Sequence, residues 1–125
     1  MSINRIGQIH ITVQDIEGAV AFYRDVVGLT HLFDVPAQQM SFFQLGETRL
    51  YLGRSSSPEF QSNPILYLEV DDIDAEHGRL RKLGVEFMSE PSIAHRDENG
   101  ELWLSFFRTP EGLPTALMET KATAG

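Results

Sequence analysis

The chain of 125 residues contains no cysteine. That excludes a disulfide framework, a thiolate zinc site and a cysteine nucleophile together, and it fits a reducing compartment. Cationic residues are scarce: ten Lys and Arg stand against eighteen Asp and Glu, for a formal net charge of −8. An acidic surface repels phosphate backbones, so no nucleic-acid partner is expected. No stretch approaches the roughly 18 apolar residues of a membrane span, and the opening MSINRIGQIH lacks an apolar run of signal-peptide length. No membrane partner and a cytoplasmic location are the expectations that follow. A phosphate loop, a dinucleotide fingerprint, a nucleophile elbow and a His-Glu-x-x-His pattern are also missing.

What is present suits a soluble globular chain, 42% hydrophobic and 22% charged. In Ile6–Val13 the residues Ile9, Ile11 and Val13 alternate with Gln8, His10 and Thr12, which is the period of a strand. Asp15 supplies an N-cap. Ile16, Ala19, Val20, Tyr23, Val26 and Val27 then repeat at helical spacing until Gly28. Thr30–Val35, Met40–Leu45 and Thr48–Leu52 follow as short strands, with Gly46-Glu47 as a tight turn. A Ser-, Pro- and Asn-rich linker occupies residues 55–63.

After it the pattern starts again. Ile65–Val70 reads as a strand, Asp72 as an N-cap and Ile73–Leu83 as a helix closed by Gly84. Val85–Ser89 predicts a strand that could run past Pro91 toward His95. Asn99-Gly100 is a hairpin turn between it and Glu101–Arg108, and Thr115–Glu119 is the last strand before a frayed tail. The letters echo too: HITVQDI (residues 10–16) lies over YLEVDDI (67–73), Ser41-Phe42-Phe43 over Ser105-Phe106-Phe107, and RLYLG (49–53) over TALME (115–119). The expectation is one domain over 1–125 made of two βαβββ modules, about 1–54 and 64–120. Their helix–sheet cores would hold Ile9, Ile11, Val13, Val20, Tyr23, Leu66, Leu68, Val70 and Leu80.

The βαβββ-βαβββ plan, the AFYRDVVGL run (21–29), the VDDID run (70–74) and the ELWLSFFRTPEGLPTALME ending (101–119) resemble the vicinal oxygen chelate superfamily. That group holds glyoxalases, bleomycin-resistance proteins and extradiol dioxygenases. The resemblance implies an α+β fold in which the modules form a cup-like curved mixed sheet with helices on the outer face. It also implies that a metal, where present, takes ligands from the first and last strand of each module. The matching positions here are His10, Leu50, Tyr67 and Ala116. Only His10 is a good donor, whereas catalytic zinc wants three protein ligands and non-haem iron two His and a carboxylate. No metal cofactor is therefore expected, unless a rewired ligand set restores one.

Several strands are apolar on both faces: Trp103 and Phe107 alternate with Leu102, Leu104 and Phe106. Such strands need cover on both sides, from helices on one and from a ligand or second subunit on the other. His10 then faces an enclosed space, and Glu69, two residues past Tyr67 and so on its side of the strand, could lie near it. His10 and Glu69 are the candidate catalytic pair, and His10, Tyr67, Trp103 and Phe107 the candidate ligand contacts. His77 falls on a helix edge, His31 at the surface and His95 beside the hairpin. The reading that follows is a metal-free, aromatic-lined cup binding a small organic molecule, in a homodimer that covers the open strand edges. Two alternatives stay open. One is a metal-dependent lyase, epimerase or dioxygenase; the other is metal-free acid–base catalysis by His10 with Glu69 or Tyr67.

Overall fold

Period-two alternation makes β1 (Gln8–Thr12) a strand with Ile11 buried on one face and His10 on the other. In the computed structural model, which describes residues 3–55 and 57–122, the chain divides into two units, Met1–Pro64 and Ile65–Gly125. Each is a βαβββ module with a mixed four-stranded sheet, so the α+β class read from the sequence holds. No helix among the described residues is long and apolar enough to cross a membrane.

In the first unit the Asp15 side chain accepts from the Gly18 amide and starts α1 (Ile16–Ala21). The helix does not stay α to its end. Phe22–Val27 widens into a π-turn, closed where the Gly28 amide donates to Tyr23 O, five residues back, at φ 92°. The extra residue per turn lets the neighbouring Phe22 and Tyr23 both reach the core, which a regular 3.6-residue period does not foresee. β2 (Thr30–Val35), β3 (Met40–Leu45) and β4 (Thr48–Gly53) complete the sheet in the order β1-β4-β3-β2. β1 and β4 run parallel and the other pairs antiparallel. Val13, Val20, Tyr23, Phe43, Leu50 and Leu52 fill the core beneath α1. The linker is not loose. Ser62 exchanges bonds with Thr12, whose amide donates to Ser62 O at 2.8 Å and whose Oγ1 accepts from Ser62 N at 2.7 Å, covering the outer edge of β1.

The second unit repeats the plan with β5 (Tyr67–Glu69), α2 (Ile73–Lys82), β6 (Ser92–Asp97), β7 (Gly100–Arg108) and β8 (Pro114–Lys121), in the order β5-β8-β7-β6. Two carboxylates start α2: Asp72 accepts from the Ala75 amide, and Glu119 of β8 accepts from the Ile73 amide at 2.8 Å. Leu66, Leu68, Leu80, Phe107 and Leu117 form its core, while Ile9 and Val70 of the expected core are half-buried. Strand boundaries differ from the sequence reading: β5 covers only Tyr67–Glu69 of the expected Ile65–Val70, and β1 only Gln8–Thr12 of Ile6–Val13. Val85–Ser89 is not a strand: it meets β7 through a single bridge, Phe87 to Phe107, with amide bonds from Met88 to Phe106 O and from Arg108 to Glu86 O, and a Ser105 hydroxyl bond to Ser89 O. Pro91, with no N–H to give, interrupts the ladder, and the paired strand begins at Ser92. At the other end β8 takes in Thr120 and Lys121, expected to fray, because they pair with Leu102 and Glu101. Residues 123–125 of that tail lie outside the described residues.

Candidate functional site

Residues paired across a sheet share a face, so the register of the first unit sorts its side chains directly. His10 pairs with Tyr51, Tyr51 with Phe42, and Phe42 with Phe33, one residue from each strand in a row across the sheet face opposite α1. The rings touch along the whole row. His10 meets Tyr51 edge-on at 4.5 Å between centroids, Tyr51 meets Phe42 edge-on at 5.0 Å, and Phe42 stacks on Phe33 at 4.6 Å and 23°. Gly53 makes room for this: a Cβ there would collide with the Tyr51 ring. Phe42 is buried at 7% exposed, His10 and Tyr51 are half-buried, and Phe33 stays 46% exposed at the outer strand, so the row meets solvent chiefly at its Phe33 end.

At the His10 end the Nε2 atom is shielded from solvent and has no hydrogen-bond partner among the described residues. A shielded ring nitrogen without a partner costs about 1–3 kcal/mol, and anything that supplies the missing bond recovers that. One row along, Arg49 lays its guanidinium over both phenylalanines, 5.6 Å from the Phe42 centroid and 5.9 Å from that of Phe33.

The register corrects one expected position. Leu50, matched in the sequence to the fourth-strand ligand position, pairs with Ile9 and Phe43 and lies 1% exposed under α1. Tyr51 is the residue opposite His10. Laying RLYLG over TALME was one residue out, and in a strand a slip of one reverses the face. In the second unit the two positions named from the sequence do face each other: Tyr67 pairs with Ala116, and Ala116 with Phe106. The small Ala116 side chain lets the Tyr67 and Phe106 rings meet edge-on at 5.7 Å.

Two expected ligand contacts are corrected as well. Phe107 is 0% exposed, packs on Phe87 and lies on the face covered by α2, with Ser105 and Leu117. Trp103 shares that face: its indole N–H donates to Glu101 at 3.1 Å and Lys121 Nζ sits 4.3 Å over its ring. The Trp103 bond, with Arg96, holds the Glu101 carboxyl below its usual range. The aromatic beside Tyr67 is Phe106. Glu69 stands on the Tyr67 side, paired with Met118, and is exposed.

His31 is not a simple surface residue. It packs at 5.0 Å on Phe43, and its Nε2 lies 2.7 Å from Asp34 Oδ1, which also accepts from the fully buried Ser41 hydroxyl at 2.7 Å. The Ser41 bond, then the His31 bond, hold the Asp34 carboxyl below its ordinary range. Sequence reasoning missed this cluster, whose residues lie three and seven apart on facing strands. His77 is buried against Phe87 at 4.3 Å; its Nε2 lies 3.7 Å from a Glu90 carboxylate oxygen and makes no hydrogen bond among the described residues. His95 is exposed and pairs with Asp97. A cavity of about 620 Å³ opens between the start of α1 and the ends of β2 and β3, lined by Asp15, Glu17, Arg24, Asp34 and Arg54 among others. No residue of the His10 row lines it.

Comparison with known proteins agrees with this architecture. Residues 5–116 match the Glyoxalase/Bleomycin resistance protein/Dioxygenase superfamily, and the chain belongs to that family. Its fold is similar to that of a superfamily member from Sphaerobacter thermophilus DSM 20745, with a TM-score of 0.77 and 25% identity over 94% of this chain and 98% of that one. It is also similar to TnmS3, an antibiotic binding protein from Streptomyces sp. CB03234, with a TM-score of 0.75 and 25% identity over 97% and 99%. A lactoylglutathione lyase from Agrobacterium tumefaciens shares the fold with a TM-score of 0.72 and 24% identity over 95% and 96%.

Proposed function

We propose that this chain binds a flat, largely apolar organic molecule on the sheet face of its first unit opposite α1, without a catalytic metal. The observation that carries the reading is the His10–Tyr51–Phe42–Phe33 row ending in a shielded, unpartnered His10 Nε2. Ring faces give contact area that every planar ligand can use, and a single unsatisfied nitrogen gives orientation. The antibiotic-binding relative supports a binding role of this kind.

The donors present do not fit a divalent metal. The His10 row offers one imidazole and a phenol, and the Tyr67 row a phenol beside Ala116. Among the described residues no three His, Asp or Glu side chains gather into a ligand set. One imidazole cannot hold zinc or iron against water. Acid–base chemistry by His10 needs a second group within reach of the same substrate atom, and its own row supplies only the Tyr51 phenol. A homodimer belongs to the reading, because the outer strand β2 with its exposed Leu32 favours a covering partner along its edge.

The test is calorimetric titration with the neutral planar probe 2-naphthol after treatment with a chelator. Saturable binding is expected, weakened about tenfold or more by Phe42→Ala and by His10→Ala, as loss of one well-packed ring or one buried polar contact implies. His31→Ala, on the helix side of the sheet, should leave it within about twofold. Binding that appears only with added zinc, nickel, iron or manganese and is lost in His10→Ala would overturn the reading in favour of a metalloenzyme.

A further inference from the structure

Arg49 is exposed, and its guanidinium carbon lies 5.6 Å from the Phe42 centroid and 5.9 Å from that of Phe33. No acidic group of the described residues pairs with it, so its N–H groups are open to an added carboxylate. Arg49 follows the same strand face as Tyr51, two residues away, so it stands about 7 Å along the strand from the His10–Tyr51 pair. Gln8 and Gln44 are its partners in that row. The row is therefore cationic at β4 and neutral on both sides.

Among the described residues five arginines are ion-paired: Arg5 to Glu47, Arg24 to Asp25, Arg79 to Glu76, Arg81 to Glu90 and Arg96 to Glu101. Arg49 is not, and it lies over two aromatic rings. Arg49 thus sets a planar fork beside the exposed ring of Phe33. Guanidinium is matched by carboxylate in two parallel N–H···O bonds, and a ring that lies against Phe33 brings a carboxylate on its rim to that fork. The spacing of the two rows is that of an aromatic acid with a one- or two-ring core. Its carboxylate would lie at Arg49 and its far edge at His10.

We infer that the molecule bound on this face is an aromatic carboxylate, read by Arg49 through its anion and by Phe33 and Tyr51 through its ring. The inference rests on the binding role proposed above and adds its charge. Arg49 selects among planar molecules rather than creating the site.

The experiment compares 2-naphthoate with its neutral isostere 2-naphthamide on the full chain, by calorimetric titration. In the native protein the carboxylate should bind on the order of tenfold or more tighter than the amide, the advantage of a charge-assisted pair on a partly covered surface. In Arg49→Gln that preference should collapse to within about twofold, and Arg49→Lys should restore only part of it, since a point charge lacks the fork. Raising ionic strength should weaken the carboxylate and not the amide. Equal binding of the two probes by the native protein, or a preference that survives Arg49→Gln, would overturn the inference while leaving the binding role intact. Binding of neither probe would sink both.

Discussion

His10 and Tyr51 face each other across the parallel β1–β4 pair, ring centroids 4.5 Å apart at 69°, and the Tyr51 ring lies over the bare α-carbon of Gly53. Three residues from two strands thus determine one corner of the candidate site. The corner depends on an absence, since any side chain at residue 53 would occupy the place of the Tyr51 ring.

Gly53→Ala is expected to push that ring aside. Overpacking of this sort costs about 1–3 kcal/mol, readable as a lower denaturation midpoint in urea, and the His10 ring resonances should shift with it. Unchanged stability together with unchanged His10 resonances would mean that Tyr51 has an alternative position at no cost.

Leu50 and Tyr51 are neighbours with opposite duties. Leu50→Ala empties a buried position under α1 and should cost about 2–5 kcal/mol, with binding retained by whatever protein remains folded. Tyr51→Ala removes a half-buried ring from the face opposite α1 and should weaken 2-naphthol binding about tenfold at a smaller stability cost. Urea unfolding and titration of both variants check this. The reverse pattern would return Leu50 to the site.

Asp34 gives the first unit an acid-sensitive joint. Its carboxyl is held below the ordinary 3.8 by the Ser41 hydroxyl and then by His31. A depressed carboxyl adds stability that is complete above its ordinary value and is lost as pH falls through that value and then through the folded one. Ser41→Ala should therefore cost more near neutrality than in acid, with the gap narrowing below pH 3.8. Urea unfolding at the two pH values shows it, and a gap that widens in acid contradicts it.

Glu119 reaches from β8 to the first amide of α2. Glu119→Ala should lose a capping bond of about 0.5–2 kcal/mol and expose the Ile73 amide to faster hydrogen exchange, with Ala75, capped by Asp72, little changed.

How far these features are legible in the letters depends on which signal carries them. The helix starts were, because Asp15 and Asp72 act locally. The alternation of β1 was, because Ile11 and His10 belong to opposite environments. Faces of strands apolar on both sides were not. Nothing local separates Phe106 from Phe107, and only pairing with Ala116 and Thr115 assigns them. The same limit placed Leu50 where Tyr51 stands, because the repeat differs in length by one residue between the aligned strands. The Ser41–His31–Asp34 cluster and the Arg49 platform arise from cross-strand register, which no local spacing announces.

The central claim, that the aromatic face of the first unit is a ligand surface, is tested most directly by aromatic side-chain NMR during titration with 2-naphthoate. The account predicts saturable shifts concentrated on Phe33, Phe42, Tyr51 and His10, with the helix-side rings of Phe43 and Phe107 little moved. Shifts concentrated on Phe43 and Phe107 instead, or no saturable shift at the four residues of the row, would contradict it.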